Sequence, residues 1–97
     1  MEQSMISLRW LMNKLWQSEA WEDYLYWQRQ DKKTLKRINL LIQDIDRNQY
    51  SGIGKPEALK GDLSGWWSRR IDNINRLVYR IRDGRIEIAQ CRTHYGN

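Results

Sequence analysis

Residues 66–92 read WWSRRIDNINRLVYRIRDGRIEIAQCR, and most of the predicted sheet lies in this stretch. Apolar and polar side chains alternate along it, which is typical of strands with one buried face. The pattern predicts three strands, at 66–71, 75–82 and 85–92. Asp83 and Gly84 form a strong two-residue hairpin signal between the last two strands. The C-terminal third of the chain is therefore predicted to be an antiparallel sheet.

The hairpin turn sets the expected register of the last two strands. Position 82 is expected opposite 85, 80 opposite 87, 78 opposite 89 and 76 opposite 91. Strict alternation then separates two faces. The face expected under the helices carries Leu77, Tyr79, Ile81, Ile86 and Ile88, and the other carries Arg76, Val78, Arg80, Glu87, Ala89 and Cys91. Arg80 and Glu87 should pair across the strands, and Arg70 can join this open, cationic face.

Two helices and a short strand are predicted before the sheet. Ser18 is expected to cap the first helix and Asp31 the second, which runs to about residue 48. The first helix has helical spacing of Ala20, Trp21, Tyr24, Leu25 and Gln28. The second has an apolar stripe of Leu35, Ile38, Leu41, Ile42 and Ile45. With a first strand at 14–16, these patterns predict a small α+β protein.

Length and charge limit the classes of protein to consider. Ninety-seven residues predict one domain, and the net charge of +5 favours an anionic partner, nucleic acid first, although a basic protein without a specific partner stays open. No apolar run approaches the roughly 20 residues of a membrane span. The N-terminal segment carries Glu2 and Arg9, unlike a signal peptide, so we expect a cytoplasmic protein without membrane contact. One cysteine and one histidine make a disulfide or zinc site improbable, and no cofactor is expected.

The residue types suit metal-independent RNA cleavage. Such cleavage uses the 2′-OH as nucleophile and needs a base, an acid for the 5′-oxygen and cations for the charge on phosphorus. Glu57 can be the base and His94 the acid, while Lys60, Arg70 and Arg76 can hold the phosphate. Each of these residue types is more often an ordinary surface side chain, so residue types alone support no more than a small basic α+β protein.

Several ordered motifs resemble one family. SEAWEDYLYWQ, GKPEALK, LSGWWSRRI, NRLVYR and CRTHY together are similar to the Txe/YoeB toxins of the RelE/ParE superfamily, over about residues 12–95. The resemblance implies a compact βααβββ fold of the microbial ribonuclease type. It also implies an endoribonuclease that cuts mRNA in the ribosomal A site, a YefM-like antitoxin with an acidic tail, and a tendency to form homodimers.

The resemblance implies a role for each matching side chain. Glu57 corresponds to the general base and His94 to the general acid, with Arg70 and Arg76 stabilising the transition state. The expected substrate-binding residues are Lys60, which contacts phosphate, Tyr95, which positions the substrate, and Arg69 in the same arginine run.

The chain also departs from the family pattern. Residues 1–11 are extra, Gly96 and Asn97 follow the His-Tyr pair, and Ala58 stands where a proline is common. These differences affect the expected pose of His94 and the stiffness of the Glu57 loop. A non-catalytic basic module that binds antitoxin or ribosome is therefore a second hypothesis. A gyrase-directed toxin is a weaker third, because the Glu57 and His94 pair argues against it.

Overall fold

A computed structural model describes residues 11–93. Two α-helices lie between the first strand and the other four in sequence. The helices are α1 (Ser18–Gln30) and α2 (Lys32–Asn48), and a short 3₁₀ helix spans Gly61–Leu63. The strands are β1 (Asn13–Trp16), β2 (Glu57–Ala58), β3 (Trp67–Arg70), β4 (Arg76–Arg82) and β5 (Arg85–Gln90).

All five strands form one sheet in the order β1-β5-β4-β3-β2. β1 runs parallel to β5, and the other neighbours are antiparallel. The predicted α+β class and the order of the predicted elements are confirmed. The sequence did not predict β2, because two residues are too few to show alternation. Glu57 therefore lies on an edge strand rather than in a loop.

The start of each helix has a different cause. Asp31 caps α2 as predicted, because its Oδ1 accepts hydrogen bonds from the backbone N–H groups of Lys33 (3.1 Å) and Thr34 (3.3 Å). The prediction of Ser18 as a cap is wrong. Gln17 still donates its backbone N–H to Ile88 O of the sheet, so α1 begins immediately afterwards and Ser18 is its first residue. Among residues 11–93, no helix is long and apolar enough to cross a membrane.

Both helices pack on one face of the sheet. The buried cluster combines Ala20, Ile38, Leu41, Ile42, Ile45, Ile71, Leu77, Tyr79, Ile86, Ile88 and Cys91. Leu35 of the expected stripe is only half-buried. Trp21, one of the helically spaced residues of α1, is 46% exposed and stacks on Tyr24. On the opposite face, among residues 11–93, Ser68 and Val78 are buried while Arg76 and Arg80 are half-buried and Arg70 is exposed.

The hairpin register is confirmed near the turn and shifts further along. Asp83 and Gly84 both have positive φ, and Arg80 faces Glu87. Tyr79 then faces Ile88, but Val78 faces Gln90, so Ala89 is an extra residue in β5. This bulge reverses the alternation after it.

Cys91 lies on the opposite face from the predicted one because of the bulge. Its side chain is fully buried, and its backbone N–H donates to Asp23 Oδ2 at 3.0 Å. Burial raises the pKa of the Cys91 thiol well above its ordinary value. The expected pairing of positions 76 and 91 is wrong for the same reason.

Candidate functional site

Strand pairing brings three of the predicted site residues to one end of the open face. Glu57 faces Ser68 across β2 and β3, and Arg70 faces Arg76 across β3 and β4. Directly opposed residues of antiparallel strands project from the same side. Ser68 and Arg70 are two positions apart in β3 and so share that side as well. A carboxylate and two guanidinium groups therefore meet on one surface.

Glu57 is an exposed carboxylate in a constrained segment. Pro56 precedes it, and Lys55 has a positive φ of 52°, which is uncommon for a residue other than glycine. The pairing continues beyond β2, since the Leu59 backbone N–H donates to Trp66 O at 2.9 Å. Within residues 11–93 the Glu57 side chain has no hydrogen bond or ion pair. Its backbone is thus fixed while its oxygens stay available to a substrate.

The two arginines of the site are held differently. Arg76 is half-buried, and its Nη1 donates to Asp72 O (2.8 Å) and Asn75 O (3.1 Å). Arg70 is exposed, and only its backbone is bound, through its N–H to Gly54 O at 2.7 Å and its carbonyl to Arg37 Nη2 at 3.3 Å. The Arg76 guanidinium is therefore already oriented, whereas that of Arg70 has no partner among the described side chains.

The turn before Arg76 is rigid. Asp72 Oδ1 accepts the backbone N–H groups of Ile74 (2.8 Å) and Asn75 (2.6 Å), and Asn75 Nδ2 donates to Asp72 Oδ2 (3.1 Å). Burial favours a higher pKa for Asp72, but the hydrogen bonds from Asn75 and Ile74 outweigh it and hold that pKa below its ordinary value. From the strand pattern alone, this segment is only a connection between two strands. Its Asp-x-x-Asn spacing is the sequence feature that indicates a turn held by side-chain hydrogen bonds.

Three of the predicted residues have less structural support. Lys60 is exposed beside the 3₁₀ helix, and its side chain makes no hydrogen bond or ion pair within residues 11–93, so its phosphate role stays a prediction. His94 and Tyr95 lie outside the described residues. Thr93, which ends the described part, is bonded to the turn that precedes Arg76.

The prediction that Arg69 binds substrate is wrong. Alternation in β3 turns Arg69 toward the helices, where it is fully buried. Its guanidinium has five N–H donors, and all of them are used internally. The acceptors are Tyr79 OH (3.1 Å), the Asp44 carboxylate (2.5 Å), and the carbonyls of Ile53 (3.0 Å), Gln49 (2.8 Å) and Ser51 (2.5 Å). Arg69 therefore ties the segment that leads to Glu57 onto α2 and β4.

The cationic surface is smaller than the sequence suggested. Arg80 pairs with Glu87 as predicted, through Nε at 2.9 Å and Nη2 at 3.3 Å. The Arg80 hydrogen bond lowers the pKa of Glu87, so the pair stays ionised at neutral pH. The same guanidinium lies 4.1 Å from the Trp66 ring centroid and covers it. Trp67 stacks on Tyr50 at 4.6 Å on the other face. Neither tryptophan presents a free ring beside Glu57.

Comparison with known proteins identifies the family. Residues 16–95 match the model of the YoeB-like toxin of bacterial type II toxin–antitoxin systems. A toxin YoeB from Streptomyces coelicolor is 58% identical over 78 residues, which are 80% of this chain and 93% of the relative. Toxin YoeB of Escherichia coli K12 is 54% identical over 84 residues, which are 87% of this chain and 100% of that protein.

Solved structures agree with this match. A YoeB/ParE toxin from Agrobacterium tumefaciens has a TM-score of 0.84 and 46% identity, covering 87% of this chain and 100% of that one. The YoeB of a heterotetrameric YoeB–YefM complex from Staphylococcus aureus has a TM-score of 0.82 and 50% identity. The match covers 87% of this chain and 98% of the S. aureus chain. The S. aureus protein has also been solved as a YoeB dimer. This chain belongs to the YoeB-like toxins of bacterial type II toxin–antitoxin systems.

Proposed function

We propose that this toxin is a ribosome-dependent endoribonuclease that cleaves mRNA in the A site and so inhibits translation. One observation carries the proposal. The β2-β3-β4 pairing puts Glu57, a carboxylate without a hydrogen-bond or ion-pair partner in the described part of the chain, on the same face and at the same end as Arg70 and Arg76. A base beside preoriented cations is the arrangement that attack by a 2′-OH on the neighbouring phosphate requires.

Each side chain then has a defined step. Glu57 takes the proton of the 2′-OH, and that oxygen attacks phosphorus to form a 2′,3′-cyclic phosphate. The 5′-oxygen of the next nucleotide leaves and receives a proton from His94. Arg70 and Arg76 stabilise the charge that accumulates on the phosphoryl oxygens, and no metal ion takes part.

Lys60 and Tyr95 are assigned to substrate binding. Lys60 lies three residues beyond Glu57 and is exposed, so its ammonium group is free to meet an RNA phosphate. Tyr95 is assigned from the family resemblance alone. These contacts hold the nucleotides on either side of the scissile bond.

The exposed position of Glu57 explains why a ribosome is needed. Glu57 is on a two-residue edge strand, and no described residue covers it. Free RNA meets base and cations on an open surface, where few of its conformers have the 2′-oxygen, phosphorus and 5′-oxygen in line. A ribosome that holds the mRNA in one conformation removes this entropic cost. We therefore propose that the protein acts in the cytoplasm, where such a target is found.

The proposed partner in the inactive state is a YefM-like antitoxin with an acidic tail. The S. aureus relative is known in a YoeB–YefM complex and as a dimer. In this chain Arg70, Arg76 and the exposed Lys60 give an acidic segment a complementary surface on the open face. We propose that the antitoxin covers this surface, and that the toxin itself forms homodimers.

Primer extension on a message in a translating extract tests the proposed activity. We expect new 3′ ends only within the translated region when the toxin is present, and none when translation is blocked before initiation. The Glu57→Gln variant is the matched control and should produce no such ends. Arrest of translation by the wild type without any cut message would favour the non-catalytic binding module and contradict the nuclease.

A further inference from the structure

The turn formed by residues 72–75 contacts two different parts of the proposed site. Through backbone carbonyls of Asp72 and Asn75 it holds the Arg76 guanidinium, at 2.8 and 3.1 Å. The turn also holds Thr93, through the Asn75 side chain and the Ile74 carbonyl. The Thr93 backbone N–H donates to Asn75 Oδ1 at 3.0 Å, and Thr93 Oγ1 donates to Ile74 O at 2.6 Å. The same turn thus ties a catalytic cation to the C-terminal segment.

Asn75 is the residue that joins these contacts. Its Nδ2 donates to both carboxylate oxygens of Asp72, at 3.3 and 3.1 Å, which fixes the direction of the amide. The amide oxygen is then directed at the Thr93 N–H. An aspartate has no donor for Asp72, and an alanine has neither group. Of these three residues, only asparagine can make both contacts.

The C-terminal segment needs such an anchor because β5 ends at Gln90. Beyond it, Cys91 is held by α1, through its N–H to Asp23 (3.0 Å) and its carbonyl to Trp27 Nε1 (2.8 Å). Thr93 is next held by the 72–75 turn. His94 follows Thr93 directly in sequence, so the Thr93 contacts set the point from which the His94 backbone starts.

We propose that Asn75 is a positioning residue for the cleavage reaction, acting through Thr93 on the proposed general acid His94. This role rests on the proposed function. Asn75 does not touch RNA in this account. It sets the placement of the acid relative to Arg76, whose own contacts use backbone carbonyls and do not need the Asn75 amide.

Single-turnover cleavage of a message on ribosomes tests this coupling in a double-mutant cycle. A misplacement of about 1 Å can cost on the order of 100-fold in rate, so Asn75→Ala should slow the wild type by about 10- to 100-fold. In the His94→Gln variant, Asn75→Ala should lower the cleavage rate by less than about threefold, because the acid is already absent. Equal losses in the two backgrounds would overturn the proposal, as would no loss in the wild type.

Asn73→Ala is the matched control. Asn73 lies in the same turn, is exposed, and makes no hydrogen bond within residues 11–93. It should leave the cleavage rate and the ribosome affinity unchanged. Thermal unfolding of both variants shows whether the turn itself still folds. An Asn75→Ala rate loss matched by Asn73→Ala would mean that any disturbance of the turn suffices, and the specific role of Asn75 would be refuted.

NMR of the sole histidine gives a readout that needs no cleavage. In the wild type the His94 imidazole signals should differ from those of the denatured chain. Asn75→Ala should move them toward the denatured positions, whereas Asn73→Ala should not. Unchanged signals in Asn75→Ala would overturn the positioning role even if the toxin cleaves. A wild type that fails to cleave but shows the expected shifts would instead contradict the nuclease and leave the anchor established.

Discussion

Arg69 and Arg70 are consecutive in β3, and their surroundings are opposite. Arg69 is fully buried and saturates its five donors, while the Arg70 side chain is exposed without a described partner. The two-residue period of a strand separates them. Gly54 makes the buried arrangement possible, because its positive φ of 82° lets the loop pack closely, and a Cβ there would lie 3.2 Å from Arg69 Cβ. One arginine is part of the buried network, and its neighbour is proposed to act in the site.

Replacing these two arginines should separate stability from activity. Arg69→Met removes the ion pair with Asp44 and the hydrogen bonds to three carbonyls, so we expect a loss of about 3–5 kcal/mol in the free energy of unfolding. Arg70→Met should change that free energy by less than about 0.5 kcal/mol. Urea unfolding measures both. Similar losses in the two variants would show that the Arg69 network contributes little.

Arg76 and Arg80 provide a second matched pair, this time for activity. Arg80 forms a close ion pair with Glu87, whereas Arg76 hydrogen-bonds to two carbonyl oxygens and, within residues 11–93, has only the longer-range attraction of the Asp72 carboxylate. Arg76→Ala should therefore remove about 2.7–4 kcal/mol of transition-state stabilisation, a rate loss of roughly 100- to 1,000-fold. Arg80→Ala should cost much less. Single-turnover rates that fall equally in both variants would contradict this ranking.

The strands show where sequence patterns suffice at the scale of an element. The Asp83 and Gly84 turn and the alternation from Leu77 to Ile88 predicted β4 and β5 correctly. The bulge at Ala89 was not predictable, because neither Ala89 nor the following glutamine is apolar or charged enough to indicate a face. Alternation therefore continued to the wrong face at Cys91. The two-residue β2 was missed because it is too short to show a period.

Cys91 gives a chemical test of the bulge. It is the only cysteine, and burial raises the pKa of its thiol, which disfavours the reactive thiolate. A thiol reagent at neutral pH should label the native protein at least about tenfold more slowly than the urea-denatured chain. Native labelling as fast as in urea would place Cys91 on the open face, as strict alternation predicts.

The site assembles only at the scale of the whole molecule. Glu57, Arg70 and Arg76 are separated in sequence and meet through pairing of β2, β3 and β4. Residue types and the family resemblance were enough to name these three. They did not show that Arg69 is buried while Arg70 is exposed, because that depends on the face of β3 from which each side chain projects. They did not find Asn75 either, because its role depends on contact with a segment 18 residues away.

The distribution of charge predicts how the antitoxin associates. The net charge is +5, and Arg70 and Arg76, on the same face of the sheet, form no close ion pair within residues 11–93. Association with an acidic antitoxin should slow by about tenfold as ionic strength rises from about 0.05 to 0.5 M. Arg70→Gln should weaken this salt dependence, and Lys32→Gln on α2 should not. An association rate that ignores salt would show that the acidic segment does not lie on the open face.

Single-turnover cleavage of one mRNA bound to ribosomes, compared between the wild type and Glu57→Gln, tests the central claim most directly. The exposed Glu57 contributes little to the core, so the variant should unfold like the wild type and still bind ribosomes. Its cleavage rate should fall by about 100-fold or more, because general base catalysis contributes about 10²–10⁴-fold. A Glu57→Gln toxin that cleaves the message at close to the wild-type rate would contradict the account.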